Sequence, residues 1–244
     1  MDFPYDYDAG FDDPNNKNAW FAQSIGTGKN ILEVGCATGY VGEYLVKQMG
    51  CRVWGVEYVE SAAKQARARN CYEDVLTGDI QDPKTVASIP KGSLDFVLFG
   101  DVLEHLNSPE TALEIIKPLL NPEGHVLICV PSIVHWSIRM RVLKGQFEYT
   151  ETGPLDRTHV RFFTPKTARD LMTATHLKIV RQGGVVWLPS AVYKFPKALR
   201  YRIERMAGAA WPNLMYGQVL LDAVPQASSV LPASAALVGA GASR

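Results

Sequence analysis

The segment with the clearest chemical potential is Glu33-Val34-Gly35-Cys36-Ala37-Thr38-Gly39, which joins the apolar pair Ile31-Leu32 to a predicted helix that begins near Tyr40. A short buried strand that ends in a glycine-containing turn and continues into a helix places backbone N–H groups beside a nucleotide-like ligand. A dinucleotide fingerprint requires the spacing G-x-G-x-x-G, but Ala37 and Tyr40 occupy the second and third glycine positions. The loop therefore predicts a small-cofactor site and disfavours a dinucleotide.

Further polar residues follow the other predicted strands, which are Cys51–Val56, Glu73–Thr77, Leu94–Phe99 and Val126–Val130. In an open α/β sheet the ligand lies across the carboxyl ends of the strands. The residues at those ends are Glu57-Tyr58, Gly78-Asp79-Ile80, Gly100-Asp101 and Pro131-Ser132. Glu57 falls where a carboxylate can accept hydrogen bonds from ribose hydroxyls, and Asp79 falls where one can meet an adenine amino group. A nucleoside-containing cofactor is therefore expected.

The predicted helices alternate with the strands. They cover Asn16–Ile25, Ser61–Arg69, Pro109 toward Pro118 with Ser108 as cap, Ile133–Leu143, and Pro165–Ala174 with Thr164 as cap, and Asn121–Gly124 is predicted to be a turn. Strands at Leu177–Trp187 and Leu214–Ala223 would complete the sheet. This alternation predicts βαβ units and a parallel sheet that is covered on both faces.

We expect three regions: an N-terminal arm and helix at 1–30, a main domain at 31–224, and a flexible tail at 225–244. The main domain would contain a substrate loop at about 132–163 and an insert at about 189–210. Loops of such length inside a compact domain are usually functional. Two aromatic residues of the arm, Tyr5 and Tyr7, either close over the site or lie on the surface.

The bulk properties limit the class of protein. The chain has 244 residues, 47% of them hydrophobic, and a formal net charge of zero. There is no run of eighteen apolar residues, the N-terminus is acidic, unlike a basic signal peptide, and the cysteines are scattered. A soluble cytoplasmic protein is expected. Between His135 and Arg205 fourteen basic residues stand against five acidic ones, which indicates either an anionic substrate or membrane surface, or simply solvated helix faces.

These motifs together resemble the class I S-adenosylmethionine-dependent methyltransferases over roughly Ile31 to Leu188. The matching segments include Leu32–Gly39, Val56-Glu57-Tyr58, Gly78-Asp79-Ile80, Leu94–Val97, Asp101–Leu106 and Lys117-Pro118 to Gly124. The resemblance implies a doubly wound, mostly parallel seven-stranded sheet with the last strand antiparallel. It also implies that Glu33, Gly35, Gly39, Glu57 and Asp79 hold the cofactor and that Cys36, Ala37, Tyr58, Ile80 and Gly100 line its site. Many members of the class have glycine at the position of Ala37.

The subgroup that the chain most resembles includes the ubiquinone-biosynthesis O-methyltransferases. The segment Leu155–Thr164 resembles a signature of bacterial methyltransferases of sugar and surface-polysaccharide pathways. We therefore expect methyl transfer from S-adenosylmethionine to a hydroxyl of a small polar metabolite, with a sugar as the best guess. N-methylation of a small amine, a non-catalytic S-adenosylmethionine-binding protein and a dehydrogenase are the alternatives.

Three residues are candidates for catalysis. His105 is the first candidate for the general base, because it closely follows the fourth strand and histidine titrates near neutral pH. His159 is the second candidate and Asp101 the third, although His105 could equally satisfy only local backbone groups. The spacing Asp101-x-x-Glu104-His105 resembles a metal-binding run of related methyltransferases, so a divalent metal at these three residues is an alternative.

Partners other than a small molecule are constrained less strongly. Nucleic acid is not favoured, because acidic residues interrupt the basic segment and the N-terminal arm is acidic. The basic amphipathic stretch Tyr193–Arg205 is compatible with a peripheral membrane contact, with a cover over the substrate pocket, or with the pairing of two subunits into a homodimer.

Overall fold

The computed structural model describes residues 10–226, so the predicted roles of Tyr5 and Tyr7, and those of residues 227–244, lie outside the described residues. The helices are α1 (Lys17–Ile25), α2 (Tyr40–Met49), α3 (Glu60–Ala68), α4 (Pro109–Ile116), α5 (Trp136–Leu143), α6 (Pro165–Ala174), α7 (Lys197–Ala210) and α8 (Pro212–Met215). The strands are β1 (Asn30–Val34), β2 (Arg52–Glu57), β3 (Asp74–Thr77), β4 (Leu94–Gly100), β5 (Leu120–Pro131), β6 (Leu177–Val186) and β7 (Tyr216–Pro225). Short 3₁₀ helices cover Pro83–Val86, Leu103–His105, Lys117–Leu119 and Ser190–Lys194.

Within residues 10–226 these strands form one seven-stranded sheet in the order β3-β2-β1-β4-β5-β7-β6. The strands β1 to β5 pair in parallel, whereas β7 pairs antiparallel with both β5 and β6. The predicted mostly parallel sheet with an antiparallel last strand is therefore confirmed. The chain order reverses between β1 and β4, which is where an open α/β sheet leaves a crevice for a ligand.

The period-2 alternation of side chains divides the core between the two faces of the sheet. Val97 and Phe99 of β4 pack on one face in a cluster that includes Leu113 of α4. Phe96 and Leu98 point to the other face and belong to a cluster that includes Phe21 of α1. Because α1 supplies part of this second layer, the helix before β1 packs on the sheet.

Local sequence signals fix several helix starts. Asn16 accepts a hydrogen bond from the Asn18 N–H at the start of α1. Thr164 caps α6, as its sequence predicts, and also forms a capping box with Thr167. The predicted helix at Ile133 instead begins at Trp136, because His135 adopts an extended conformation and its side chain accepts a hydrogen bond from the Ser137 N–H.

The prediction of a turn at Asn121–Gly124 is wrong, because these residues lie within β5. The register between β4 and β5 shifts there, from Leu94 opposite Leu120 to Phe96 opposite His125, so β5 has more residues than its partner. The turn chemistry of Asn121 is nevertheless present, since its side chain accepts a hydrogen bond of 2.9 Å from the Glu123 N–H.

The predicted insert forms α7, which packs against the sheet through a narrow strip. Glu204 and Gly208 are its buried residues, and a Cβ atom at Gly208 would lie 2.8 Å from Val186 of β6. Leu199 and Met206 remain exposed on the other side of the helix. Among the described residues, no helix combines the length and the apolar character that crossing a bilayer requires.

Candidate active site

A cavity of about 960 Å³ opens at the carboxyl ends of the parallel strands, a volume at the upper end of the range for small-molecule sites. Nearly all of the site residues predicted from the sequence line it, and they are Glu33, Gly35, Cys36, Ala37, Glu57, Tyr58, Asp79, Ile80, Gly100, Asp101, His105 and His159. Gly39 is not among the lining residues. No residue of Tyr193–Arg205 is among them either, so the prediction that this stretch covers the pocket receives no support.

The loop between β1 and α2 forms one wall of the cavity. The N–H groups of Gly35 and Cys36 donate to the Val56 carbonyl at 2.8 and 3.1 Å, which folds the loop against β2. Gly35 has a φ of +70°, and a Cβ atom there would lie 2.5 Å from a methyl group of Val102. A side chain at this position would therefore adopt a strained backbone conformation and would have to displace the Val102 side chain. Gly39 is left-handed as well and serves as the cap residue of α2.

Glu57 connects two segments of the cavity wall. One of its carboxylate oxygens accepts a hydrogen bond of 2.8 Å from the Ala37 N–H, and the other accepts one of 2.9 Å from the Val59 N–H. A carboxylate oxygen can accept more than one hydrogen bond, so both oxygens retain capacity for ligand hydroxyls. The loop after β1 and the carboxylate after β2 are thus held together as one unit.

Asp79 is held in a turn after β3. Its side chain accepts a hydrogen bond of 2.8 Å from the Gln81 N–H, and its carbonyl accepts one of 2.7 Å from the Thr85 hydroxyl. Gln81 in turn accepts a hydrogen bond of 2.9 Å from the Ser108 N–H at the start of α4. These bonds fix a carboxylate at the cavity wall, on the side of the sheet where β3 lies.

Glu33 lies deeper, with only 7% of its surface exposed. It accepts a hydrogen bond of 2.7 Å from the Tyr72 hydroxyl. Burial raises the pKa of Glu33 from 4.5 to about 7, against the opposing effect of the Tyr72 hydrogen bond. Burial likewise raises the pKa of the neighbouring Cys36 thiol, which therefore packs as a small apolar group rather than reacting as a thiolate.

The Asp101 carboxylate is engaged by several groups of the protein itself. It forms an ion pair with Lys17 of α1, and Gln218 of β7 donates to its two oxygens at 2.8 and 3.0 Å. The Cys129 thiol donates to it at 3.2 Å, and the backbone of Asp101 is left-handed with a φ of +60°. These contacts indicate that Asp101 helps to hold the wall of the pocket. A carboxylate engaged in this way is poorly placed to act as a general base.

Lys17 and Gln218 also line the cavity, and sequence reasoning missed both. They lie far from the motifs in the chain, and only the sheet order brings α1 and β7 to the end of β4. A lysine in the first turn of a helix carries no signal of its own.

Glu104, His105 and His159, here called the histidine–glutamate cluster, lie together in the lining of the cavity. One ligand-type atom from each lies within 4.8 Å of the others, so these residues could hold a metal ion. Of the three residues suggested for a metal from the sequence, Glu104 and His105 lie in this cluster together with His159, whereas Asp101 forms an ion pair with Lys17. The rings of His105 and His159 meet edge to face, with their centroids 4.8 Å apart.

Within this cluster Glu104 is almost completely buried, and one of its oxygens has no hydrogen-bond partner. Burial, together with the nearby Asp101 carboxylate, raises the pKa of Glu104 well above its ordinary value. Burial and the neighbouring His105 lower the pKa of His159. The gap between Glu104 and the nearest His159 nitrogen is 4.0 Å, too long for a hydrogen bond.

Several basic residues of the later half of the chain are engaged within the protein. Arg161 donates to the Asn107 carbonyl, Arg139 donates to the Val134 carbonyl, and Arg157 pairs with Glu151. The positive surplus of this segment is therefore partly used to hold the loops around the cavity.

The sheet order and the pocket define the class of protein, a Rossmann-like enzyme that binds a nucleoside-containing cofactor at the carboxyl edge of its sheet. The residues fit S-adenosylmethionine. Gly35 has no side chain to keep a ligand from the backbone, Glu57 and Asp79 supply two carboxylates, and the cavity is large enough for a methyl donor and an acceptor. A methyltransferase-domain family model matches residues 16–182, and the chain belongs to this family.

Among curated relatives, a ubiquinone biosynthesis O-methyltransferase of Cupriavidus pinatubonensis is 22% identical over 178 residues, covering 70% of this chain and 69% of the relative. A probable S-adenosylmethionine-dependent methyltransferase of Mycolicibacterium smegmatis is 30% identical over 110 residues, covering 45% of this chain and 41% of the relative. A solved S-adenosylmethionine-dependent methyltransferase of Archaeoglobus fulgidus has a TM-score of 0.60 at 15% identity and covers 87% of this chain and 93% of its own. The protein is thus a methyltransferase that uses S-adenosylmethionine.

Proposed function

We propose that this enzyme methylates a hydroxyl group of a small polar metabolite, a sugar or sugar derivative, with His105 as the general base. The observation that carries the proposal is the place of His105 on the cavity wall, where its Nδ1 lies 3.1 Å from the Thr158 hydroxyl and 3.3 Å from the Thr158 carbonyl. The Leu155–Thr164 segment, whose sequence resembles that of sugar-pathway methyltransferases, thus contributes directly to the surroundings of this histidine.

When bound, S-adenosylmethionine supplies an electrophilic methyl group on a positively charged sulfur. Glu57, Asp79 and the Gly35 loop are proposed to hold the donor, as their positions in the lining support. Lys17, Asp101 and Gln218 form a polar, hydrogen-bonded wall that suits an acceptor with several hydroxyl groups. His105 would remove the proton of the hydroxyl that attacks the methyl group. Alignment of that hydroxyl with the methyl group by the cavity wall would supply the rest of the rate enhancement.

Relatives named as ubiquinone biosynthesis O-methyltransferases support an oxygen acceptor rather than a nitrogen. A solved structure with the same fold, phosphoethanolamine N-methyltransferase 2 of Haemonchus contortus, is 15% identical to this chain, so its likeness concerns the fold alone and does not decide between an oxygen and a nitrogen acceptor.

The test is a panel assay on the purified protein with S-adenosylmethionine and three groups of acceptors: nucleotide sugars, phenols and catechols, and small primary amines. Release of S-adenosylhomocysteine and the mass of the product report methylation. An O-methylated sugar with turnover that falls about 10²-fold or more in His105→Gln is the expected result. Methylation of an amine, or binding of S-adenosylmethionine without any turnover, would favour the two alternatives.

A metal-assisted version of the same reaction has one specific observation in its favour. The buried Glu104 oxygen without a hydrogen-bond partner lies in the histidine–glutamate cluster, where a divalent cation would satisfy it. Such an ion would lower the pKa of an acceptor hydroxyl and remove the need for a histidine base. Chelation distinguishes the two versions.

A further inference from the structure

The loop that carries Thr158 is firmly attached to the wall of the cavity. Leu155 is only 1% exposed, and it anchors the loop in the interior. The Glu104 carbonyl accepts hydrogen bonds of 3.0 Å from the N–H groups of both Val160 and Arg161. The residues between these anchors, 156 to 159, are therefore held at a fixed distance from the 3₁₀ helix that carries His105.

Within this segment the hydroxyl of Thr158 lies between a carboxylate and the His105 ring. Asp156 accepts a hydrogen bond of 2.7 Å from the Thr158 hydroxyl and one of 2.8 Å from the Thr158 N–H. On the other side, Thr158 Oγ1 lies 3.1 Å from His105 Nδ1. The three side chains form a continuous row, in the order Asp156, Thr158, His105.

The direction of each hydrogen bond follows from the chemistry of the groups. An ionised carboxylate can only accept, so the single proton of the Thr158 hydroxyl points to Asp156. The Thr158 oxygen then has only lone pairs left for His105, which means that Nδ1 must be the donor. The Thr158 carbonyl, 3.3 Å from the same nitrogen, can also only accept and imposes the same direction.

In a neutral imidazole with a protonated Nδ1, the Nε2 atom carries the free lone pair. This is the form that a general base needs if its Nε2 is to accept a proton. Histidine rings that act as bases in other enzymes are commonly held in one tautomer by a polar group on the opposite nitrogen.

We propose that Asp156 and Thr158 are positioning residues that hold His105 in the Nδ1–H tautomer and leave Nε2 as the proton acceptor. The catalytic part of this inference rests on the proposed function, because it assumes that His105 is the base. The tautomer itself can be measured without any acceptor.

The experiment uses the full chain labelled with ¹⁵N at histidine and a long-range ¹H–¹⁵N correlation spectrum, with the His105 signals assigned from their loss in His105→Gln. We expect Nδ1 of His105 to give the resonance of a protonated nitrogen and Nε2 that of an unprotonated one. In Thr158→Val only the longer contact of 3.3 Å with the backbone carbonyl still favours Nδ1–H, so part of the population should shift to the Nε2–H form. In Thr158→Ser, which keeps the hydroxyl, the wild-type pattern should remain. Thr173→Val, which removes a hydroxyl bonded to the Arg169 carbonyl inside α6, is the matched control and should leave the spectrum of His105 unchanged.

With an acceptor from the panel, kcat of Thr158→Val and Asp156→Asn should fall about tenfold or more, while KM for S-adenosylmethionine stays the same and Thr158→Ser recovers most of the loss. A wild-type His105 with Nε2 protonated would overturn the inference, as would a Thr158→Val variant with an unchanged tautomer and an unchanged kcat. If instead the tautomer responds as expected but His105→Gln retains full turnover, the positioning stands and the general base of the proposed function fails.

Discussion

Replacing Glu33 by glutamine should stabilise the protein without its cofactor at neutral and alkaline pH. A pKa that rises from 4.5 to about 7 in the folded state corresponds to about 3 kcal/mol, since each pH unit is worth about 1.4 kcal/mol. Because the folded carboxyl binds its proton more tightly than the unfolded one, this stabilisation is fully present below pH 4.5 and is lost as the pH rises through about 7. Glutamine has nearly the same shape, can still accept the hydrogen bond from Tyr72, and never ionises.

The assay is thermal unfolding of wild type and Glu33→Gln at pH 4 and pH 8. The variant should match the wild type at pH 4 and melt higher at pH 8, by an amount on the order of 10 °C for about 3 kcal/mol in a chain of this size. Glu60→Gln is the control of opposite sign, because hydrogen bonds from Thr77 and Arg67 lower the pKa of that exposed carboxyl. Equal pH dependence of melting in wild type and Glu33→Gln would refute the argument that burial governs Glu33. Lower affinity for S-adenosylmethionine in the stabilised variant would indicate that the buried charge is kept for the cofactor.

Three other predictions concern the cavity. Gly35→Ala should destabilise the protein by about 1–3 kcal/mol and weaken S-adenosylmethionine binding in calorimetry, because the added Cβ would clash with Val102. Gly145→Ala is the control for backbone strain alone, since Gly145 has a φ of +74° but open space around it. Equal destabilisation by the two substitutions would contradict the clash. Lys17→Met should lower the free energy of unfolding by about 1–3 kcal/mol in denaturant titrations, since it leaves the Asp101 carboxylate without its cation. It should also reduce acceptor turnover more than cofactor binding. A change confined to cofactor affinity would contradict a role of this ion pair on the acceptor side of the cavity. Thorough chelation should leave turnover unchanged if His105 is the base, whereas a loss that Mg²⁺ or Mn²⁺ restores would support a metal in the histidine–glutamate cluster.

The fold was predictable from the sequence because the signals that determine its helices and strands lie within a few neighbouring residues of the chain. The apolar run Leu94–Phe99, the Thr164 cap with its proline, and the glycines after β1 each indicate one local structure, and the parallel sheet follows from their alternation. The error at Asn121–Gly124 has the same origin. Its residues favour a turn, and local chemistry cannot show that they continue β5 as a bulge between two positions paired with β4.

The convergence of Glu57 and Asp79 on the cavity was predictable for a related reason, while the surroundings of Asp101 were not. Glu57 and Asp79 each follow a strand directly, so their convergence needs only the rule that parallel strands end at one edge. The engagement of Asp101 by Lys17 and Gln218 depends on residues 84 and 117 positions away in the chain. No spacing rule relates such distant residues, which is why the sequence suggested Asp101 for catalysis and for metal binding.

The division between the two halves of the site also explains how an acceptor can be selected in this fold. The proposed donor wall consists of the loops after β1, β2 and β3, whose backbones are fixed by hydrogen bonds to one another. The proposed acceptor wall includes Lys17 of α1, Gln218 of β7 and Trp187 just after β6, elements outside the parallel core. Substitutions on the acceptor wall can therefore change the molecule that is methylated without disturbing the donor loops. On the proposed assignment, relatives that share Glu33, Gly35 and Glu57 are expected to keep the methyl donor, and differences at positions 17, 187 and 218 or around His105 are expected to accompany a different acceptor.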